Sequence, residues 1–320
     1  MAQVAVIGCG HWGKNLVRNF AGLGALTAVC DADAAQAERL GAEHGAPALS
    51  WDAVLGDIAI NAVAIAAPAP LHHPLGRQAL RAGKHVFMEK PLALTAGQAQ
   101  DLIAVSREKG RTLMVGHLLH YHPAFVALKG LVAAGRLGTL RYVHSRRLST
   151  GQVRAEEDVL WSFAPHDLSM VLALMGAEPG DVKARGAAYI TPGIADYADV
   201  RMTFPGGAVA KVSVSWLYPE KEHRLVVVGD GGMAVFDDTR PLEHKLALYA
   251  HRVEERAGRP ILHKAVPEYI ALEAAEPLRA ECAHFLHCVD TGQAPVTDGQ
   301  EGLRVVRLLG RAQASMESGV

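Results

Sequence analysis

The sequence has little of what would mark a secreted, membrane-bound or nucleic-acid-binding protein. Only four of its 320 residues are cysteine, Cys9, Cys30, Cys282 and Cys288, with no CxxC pair and no zinc-ligand spacing. A disulfide scaffold does not fit this usage; buried thiols in a reducing cytoplasm are expected. No run of about 18 apolar residues occurs, so no membrane-spanning helix is expected. The chain enters an apolar strand at Val4 without a basic leader, which argues against a signal peptide. Charge of one sign is equally scarce: 32 basic and 33 acidic residues leave a formal net charge of −1. With no long lysine or arginine run, neither nucleic acid nor an anionic membrane is an expected partner. Internal repeats and low-complexity segments are also missing.

What is present is a change of rhythm. Up to residue 116, strand-like runs at Val4–Ile7, Leu26–Cys30, Asn61–Ala66, His85–Met88 and Thr112–Val115 alternate with amphipathic segments. Helices are expected at Lys14–Leu23, Ala34–His44, Pro74–Ala82 and Ala96–Glu108, the last opening on Thr95 and Gln98 at capping-box spacing. Such alternation predicts an α/β, doubly wound parallel sheet. Beyond residue 120, β-rich runs follow from Leu140 to Phe236, with turns at Pro205-Gly206-Gly207 and Asp230-Gly231-Gly232. Helices are expected among them at Pro123–Ala134 and Asp167–Met175, and a last one at Gln300–Met316. The predicted organisation is a Rossmann domain over residues 1–118 and an α+β domain over 119–320, built on a large, mostly antiparallel open-faced sheet.

Gly8-Cys9-Gly10-His11-Trp12-Gly13 is a GxGxxG turn placed directly between a strand and a helix. Its first glycine permits the tight turn, its second lets the backbone approach a pyrophosphate, and its third lets helix pack on strand. The helix N-terminus then offers unpaired N–H groups and a positive dipole end to phosphate. Asp31, ending the second strand, can accept from both ribose hydroxyls of the adenosine half and would repel a 2′-phosphate, so NAD is favoured over NADP. Asp33 is expected to cap the helix that follows. Glu89-Lys90-Pro91 stands at the carboxyl end of the fourth strand, where open α/β sheets bind ligands. A lysine there can stabilise a developing alkoxide.

The glycine turn, Ala67-Pro68 ahead of His72, Glu89-Lys90-Pro91 and the β-rich second half together resemble the glucose–fructose oxidoreductase / inositol dehydrogenase (Gfo/Idh/MocA) family over nearly the whole chain. The resemblance implies a catalytic Lys90, a Glu89 near the nicotinamide ribose and a Lys90-Pro91 bond that is often cis. Pro68, His72 and Pro91 join His11, Trp12 and the glycines among the implied cofactor-binding residues. It further implies a DxxxH motif whose histidine is the acid/base. Here that histidine is His166, while Ser162 replaces the aspartate. His166 is expected to begin a helix, whose N-terminus disfavours imidazolium and keeps the ring neutral. Tyr121 or Asp167 could orient it. The family pattern Gly-x-x-x-Arg-x-x-Pro is matched from Gly116 to Pro123, with His120 in place of arginine. His117, His120 and His122 fall on different faces of any helix or strand, so no metal is expected; His117, Tyr121 and His122 are assigned to the substrate cleft.

The phrases GHLLHYHPAF, LWSFAPHD, VSWLYPEKE and EPLRAECAHF resemble a narrower branch of the family, which oxidises nucleotide-linked amino sugars at C3. That branch implies a UDP sugar as substrate and a partner aminotransferase acting on the 3-keto product. Arg146, Arg147, Arg154 and Lys221 are candidate cations for the pyrophosphate, and Trp161 or Trp216 a candidate flat face for uracil. Each reads equally as a solvated surface charge or a sheet-packing aromatic. Two other readings stand beside this one: a dehydrogenase of a free polyol such as inositol, and a non-catalytic NAD sensor, against which the retention of Lys90 and His166 counts. An exposed sheet face leads to an expected homodimer or homotetramer.

Overall fold

The computed structural model describes residues 2–151, 153–154 and 157–318. In chain order the first elements are β1 (Val4–Ile7), α1 (Gly13–Gly22), β2 (Leu26–Cys30), α2 (Ala34–His44), α3 (Trp51–Gly56), β3 (Ala62–Ile65), α4 (His72–Arg81), β4 (His85–Met88), α5 (Ala96–Lys109) and β5 (Leu113–Val115). After a short 3₁₀ turn come α6 (Pro123–Ala133), β6 (Leu140–Leu148), α7 (Val159–Met175), β7 (Asp181–Ala187), β8 (Tyr197–Thr203), β9 (Val209–Ser215), β10 (Glu222–Gly229), β11 (Met233–Asp237) and β12 (Leu246–Tyr249). The chain then runs through the hairpin β13 (Arg252–Arg256) and β14 (Arg259–His263), the short β15 (Glu268–Tyr269), α8 (Pro277–Thr291) and α9 (Gly299–Glu317).

These elements form two compact units, residues 1–121 with 275–307, and residues 122–274 with 308–320. The first is built on a parallel sheet in the order β2-β1-β3-β4-β5. Successive residues of its strands serve opposite faces, as the two-residue period of a strand requires. Ala5, Ile7, Val63, Ile65 and Met88 join one cluster, and Val4, Val6, Ala62, Ala64 and Phe87 the other. Chain order reverses between β1 and β3, so the crevice at their carboxyl ends is the expected ligand position of such a sheet.

The boundary read from the sequence placed everything beyond residue 118 in the second domain; packing assigns 275–307 to the first unit instead. Phe285 of α8 decides this. It meets Phe87 at 5.7 Å and Phe20 at 6.4 Å between ring centroids, both edge-on, and all three rings are fully buried. Edge-to-face aromatic pairs add to the burial of large apolar area. Phe285→Ala is expected to destabilise the protein by about 3–5 kcal/mol. Urea unfolding followed by circular dichroism would measure it, and a loss below about 1 kcal/mol would show that α8 is not part of this core.

The second unit carries an eight-stranded sheet in the order β15-β12-β11-β10-β6-β9-β8-β7, antiparallel except where β6 pairs β9. Helix α7 packs on β6, β8 and β9. This helix begins eight residues before the Asp167 start read from the sequence. The N-cap is instead Asp158, whose side chain accepts from the Trp161 N–H at 3.0 Å, and Pro165 lies inside the helix.

Candidate active site

The glycine turn follows β1 directly. Gly8 has φ +91°, and a Cβ on it would stand 2.8 Å from the Ala66 and Ala67 backbone, so the loop after β3 passes too close for any side chain. A Cβ on Gly13 would stand 1.8 Å from the Gly8 carbonyl oxygen, which fixes α1 against the turn. Gly10 is different: nothing lies within 4 Å of its would-be Cβ. That open side is the one a pyrophosphate needs. Side chains cap α2, α3, α5, α6 and α7; α1, like α4 and α8, has no side-chain cap and no acidic residue in its first turn, and it alone of these three follows the glycine turn. Its first N–H groups and dipole therefore suit an anion.

Asp31 ties the second strand to this turn. Its Oδ2 accepts from the Cys9 N–H at 2.5 Å and its Oδ1 from the Asp33 N–H at 2.9 Å. Asp33 caps α2 as expected, accepting from the Gln36 N–H. Gln36, which the sequence did not single out, holds the turn from the other side by donating to the Cys9 carbonyl at 2.5 Å. Burial, then the Asp31 charge, pushes the Cys9 thiol up to about 11, so it adds no anion there. Asp31→Ser is expected to weaken NAD binding and narrow the preference over NADP, read by fluorescence titration with both dinucleotides. Tighter binding of NADP to the unaltered protein would contradict this role for Asp31.

Glu89 continues the β3–β4 ladder, donating its N–H to the Ile65 carbonyl at 2.9 Å. It is 7% exposed; Oε1 accepts from the Trp12 indole N–H at 2.5 Å and Oε2 from the Lys90 N–H at 3.3 Å. Burial raises its carboxyl, while the Trp12 hydrogen bond and the Lys90 and His117 charges oppose the rise. A Cβ on Gly116 would stand 3.0–3.1 Å from the Glu89 carboxyl group, which explains a glycine at that position. The Lys90-Pro91 bond is cis. His72 is 1% exposed, its Nδ1 2.6 Å from the Pro91 carbonyl oxygen and its Nε2 2.8 Å from that of Ala67. It is therefore a buried clip between the two loops rather than a direct cofactor contact. Pro68 lies beside it, at the start of the turn after β3.

His117 is also buried, its Nδ1 2.5 Å from Oε2 of Glu301 in α9. Tyr121 faces Thr297 at 3.3 Å. In the second unit, His122 caps α6, its Nδ1 accepting from the Ala124 N–H at 3.1 Å. Its Nε2 lies 3.2 Å from Asp238 and its ring packs on Phe236 at 4.8 Å. Such a buried cap leaves the substrate list. The Asp167 carboxylate accepts from Ser145 Oγ at 2.5 Å and Arg147 Nε at 2.6 Å, so it does not orient His166. Arg146 points to the opposite face of β6 and pairs with Glu222 at 3.0 Å, away from α7. It too is withdrawn. Trp216 is fully buried, its indole N–H donating to Asp196 at 2.5 Å, and serves the core. Arg154 pairs with Glu157 at the surface, and Trp161 is half-buried on α7.

The GFO/IDH/MocA oxidoreductase family with its NAD-binding Rossmann fold matches residues 2–117, and the GFO/IDH/MocA C-terminal domain matches residues 125–235. UDP-N-acetylglucosamine 3-dehydrogenase from Acidithiobacillus ferrooxidans is 31% identical over 318 residues, covering 99% of this chain and 97% of that protein. The chain belongs to the GFO/IDH/MocA family. A solved structure of that 3-dehydrogenase superposes with a TM-score of 0.87 over 99% of this chain and 97% of its own. Inositol 2-dehydrogenase from Rhizobium meliloti is 28% identical, covering 98% of this chain and 96% of its own. As a member of this family the chain is an NAD-dependent oxidoreductase, and its glycine turn, uncapped α1 and Asp31 are fitted to that cofactor.

Within this GFO/IDH/MocA chain, the family's DxxxH spacing becomes one helical turn of α7: residues 162 and 166 share a face. His166 therefore sits in the helix interior, and a helix N-terminus is not what would keep its ring neutral. His11 is exposed in the glycine turn.

Proposed function

We propose that this enzyme oxidises the C3 hydroxyl of a UDP-linked N-acetylhexosamine to the 3-keto sugar, on a route to 2,3-diamino sugars. The observation that carries the reading is 31% identity to a UDP-N-acetylglucosamine 3-dehydrogenase across almost the full length of both chains. NAD, when bound, supplies the hydride acceptor. Lys90 donates to the substrate oxygen and stabilises its growing negative charge. His166 takes the hydroxyl proton. Arg154 and Lys221, both at the surface of the second unit, are the remaining candidates for the pyrophosphate, and Trp161 for the uracil. The sequence identifies no extra cation for a C6 carboxylate, so the neutral sugar is preferred over its uronate. Isothermal calorimetry with UDP tests the reading: saturable binding supports it, and no binding removes the nucleotide-sugar assignment.

A second reading, oxidation of a free polyol, is favoured by the similarity to inositol 2-dehydrogenase. It uses the same Lys90 and His166 without a diphosphate. Self-association as a homodimer or homotetramer through the exposed sheet face, where Tyr142 is 47% exposed, belongs to the same proposal, as does a partner aminotransferase consuming the 3-keto product.

A further inference from the structure

Helix α8 carries its core-facing stripe on Leu278, Cys282, Phe285 and Cys288, and Glu281 falls within that stripe. Glu281 is 0% exposed, and neither of its carboxyl oxygens has a hydrogen-bond partner among the described residues. A carboxylate so placed is costly, and an apolar residue would pack better. Its position is defined by the aromatic contact beside it. Phe285 lies one helical turn beyond Glu281 on the same face and packs on Phe87 of β4. Glu89 lies two residues beyond Phe87 on the same face of the sheet, because its N–H continues the β3–β4 ladder. Glu276 meets Asn19 and Arg279 the Gly22 carbonyl, so α8 runs alongside α1 in the same direction, antiparallel to the strands. Four helical residues advance about 6 Å and two strand residues about 6.6 Å, so the Phe285–Phe87 pairing brings Glu281 over Glu89.

The titratable groups that face Glu281 are Glu89 from β4, Tyr121 from the turn after β5 and Cys282 on its own helix. None of them is a cation. Arg279, two residues away, donates to the Gly22 carbonyl. Burial raises the Tyr121 hydroxyl and the Cys282 thiol, so neither adds charge. The Lys90 and His117 charges act on Glu89 and not on Glu281, so no cation offsets a second anion at Glu281, and the two buried carboxyls do not both ionise. Glu89 accepts hydrogen bonds from the Trp12 indole and the Lys90 N–H, which favour its anion. Glu281 has no such donor, and burial followed by the Glu89 charge holds its carboxyl well above the usual range.

We infer that Glu89 and Glu281 form a buried pair holding one proton, carried by Glu281, so that Glu89 is the single anion of the pair beside Lys90. Glu281 does not touch substrate; it acts through Glu89. The inference rests on the reading of Lys90 as the reacting lysine, but its test does not.

Infrared spectroscopy of the protein without substrate is the direct measurement. At neutral pH the unaltered protein should show a protonated-carboxyl C=O band that is lost in Glu281→Gln and kept in Glu89→Gln. Spectra in which Glu281→Gln removes a carboxylate band instead, or no band, overturn the inference. If Glu281→Gln folds poorly, Glu281→Asp gives the same readout as a displaced acid band, and an unchanged spectrum counts against the inference. Kinetics supply the second arm. Glu281→Gln is neutral at every pH, as Glu281 is at neutral pH, and should hold kcat and the KM for NAD within about twofold there. In the unaltered protein NAD affinity should fall at alkaline pH, as ionisation of Glu281 sets a second anion against Glu89; in Glu281→Gln that fall should be absent. A fall that persists in Glu281→Gln would make Glu281 a packing residue only. A failed substrate assignment leaves the infrared result untouched, so the two ideas fail separately.

Discussion

Lys90→Ala lowers kcat by about 10²-fold or more and leaves NAD binding close to that of the unaltered protein. The expectation follows from where the lysine stands. Glu89, before it, is held by Trp12 and by the Lys90 N–H itself, and Pro91, after it, is held through its carbonyl by His72. The backbone on both sides is thus fixed by contacts that the Lys90 side chain does not make. On the proposed role, truncating that side chain removes the charge that faces the substrate oxygen while the Trp12 and His72 contacts stay in place. His166→Ala should cost a similar factor. Because His166 lies inside α7 and Asp158 supplies the cap, alanine at 166 removes no cap and suits a helix interior. Steady-state kinetics with thermal melts as a control would separate chemistry from folding. Near-normal turnover in His166→Ala would remove the histidine from the mechanism altogether.

The second large effect concerns the substrate. Charge-assisted contacts to a diphosphate are worth about 1.5–3 kcal/mol each, so two of them amount to a factor of about 10² to 10⁴. Free N-acetylglucosamine should therefore fall behind its UDP form by at least about 10²-fold in kcat/KM. Part of that loss should appear in kcat, because binding energy from the remote diphosphate helps orient C3. A loss confined to KM would mean that the nucleotide anchors the sugar without aligning it. Comparable kcat/KM for the free sugar would contradict a diphosphate site.

Residues whose local pattern determines their surroundings were legible in the sequence. The glycine turn, Asp33 as a cap, the Thr95 cap of α5 and the parallel sheet all follow from short-range rules, and all are found. What the sequence concealed depends on contacts between distant segments. Nothing near Gln36 indicates that it holds the Cys9 carbonyl, and nothing near Glu301 indicates a partner in His117, 184 residues away. Helix α8 was missed because Glu281 interrupts its apolar stripe; that irregularity was itself the available signal. The sequence reading places the start of α7 beside His166, whereas Asp158 caps the helix and it begins at Val159. The histidines between 117 and 122 looked like cleft residues, yet His117 and His122 are buried against carboxylates. Spacing gives the direction of a side chain, but its partner is set by the fold.

One measurement addresses the whole account most directly: NADH formation by the purified enzyme with UDP-N-acetylglucosamine and with myo-inositol, side by side. Since formation of a 3-keto sugar can run uphill, the assay should include an aminotransferase or a chemical trap for the product. The account expects NADH with UDP-N-acetylglucosamine, absent in Lys90→Ala, and little or none with myo-inositol. Turnover of myo-inositol at a comparable rate, or no NADH from the nucleotide sugar with the trap present, would contradict it.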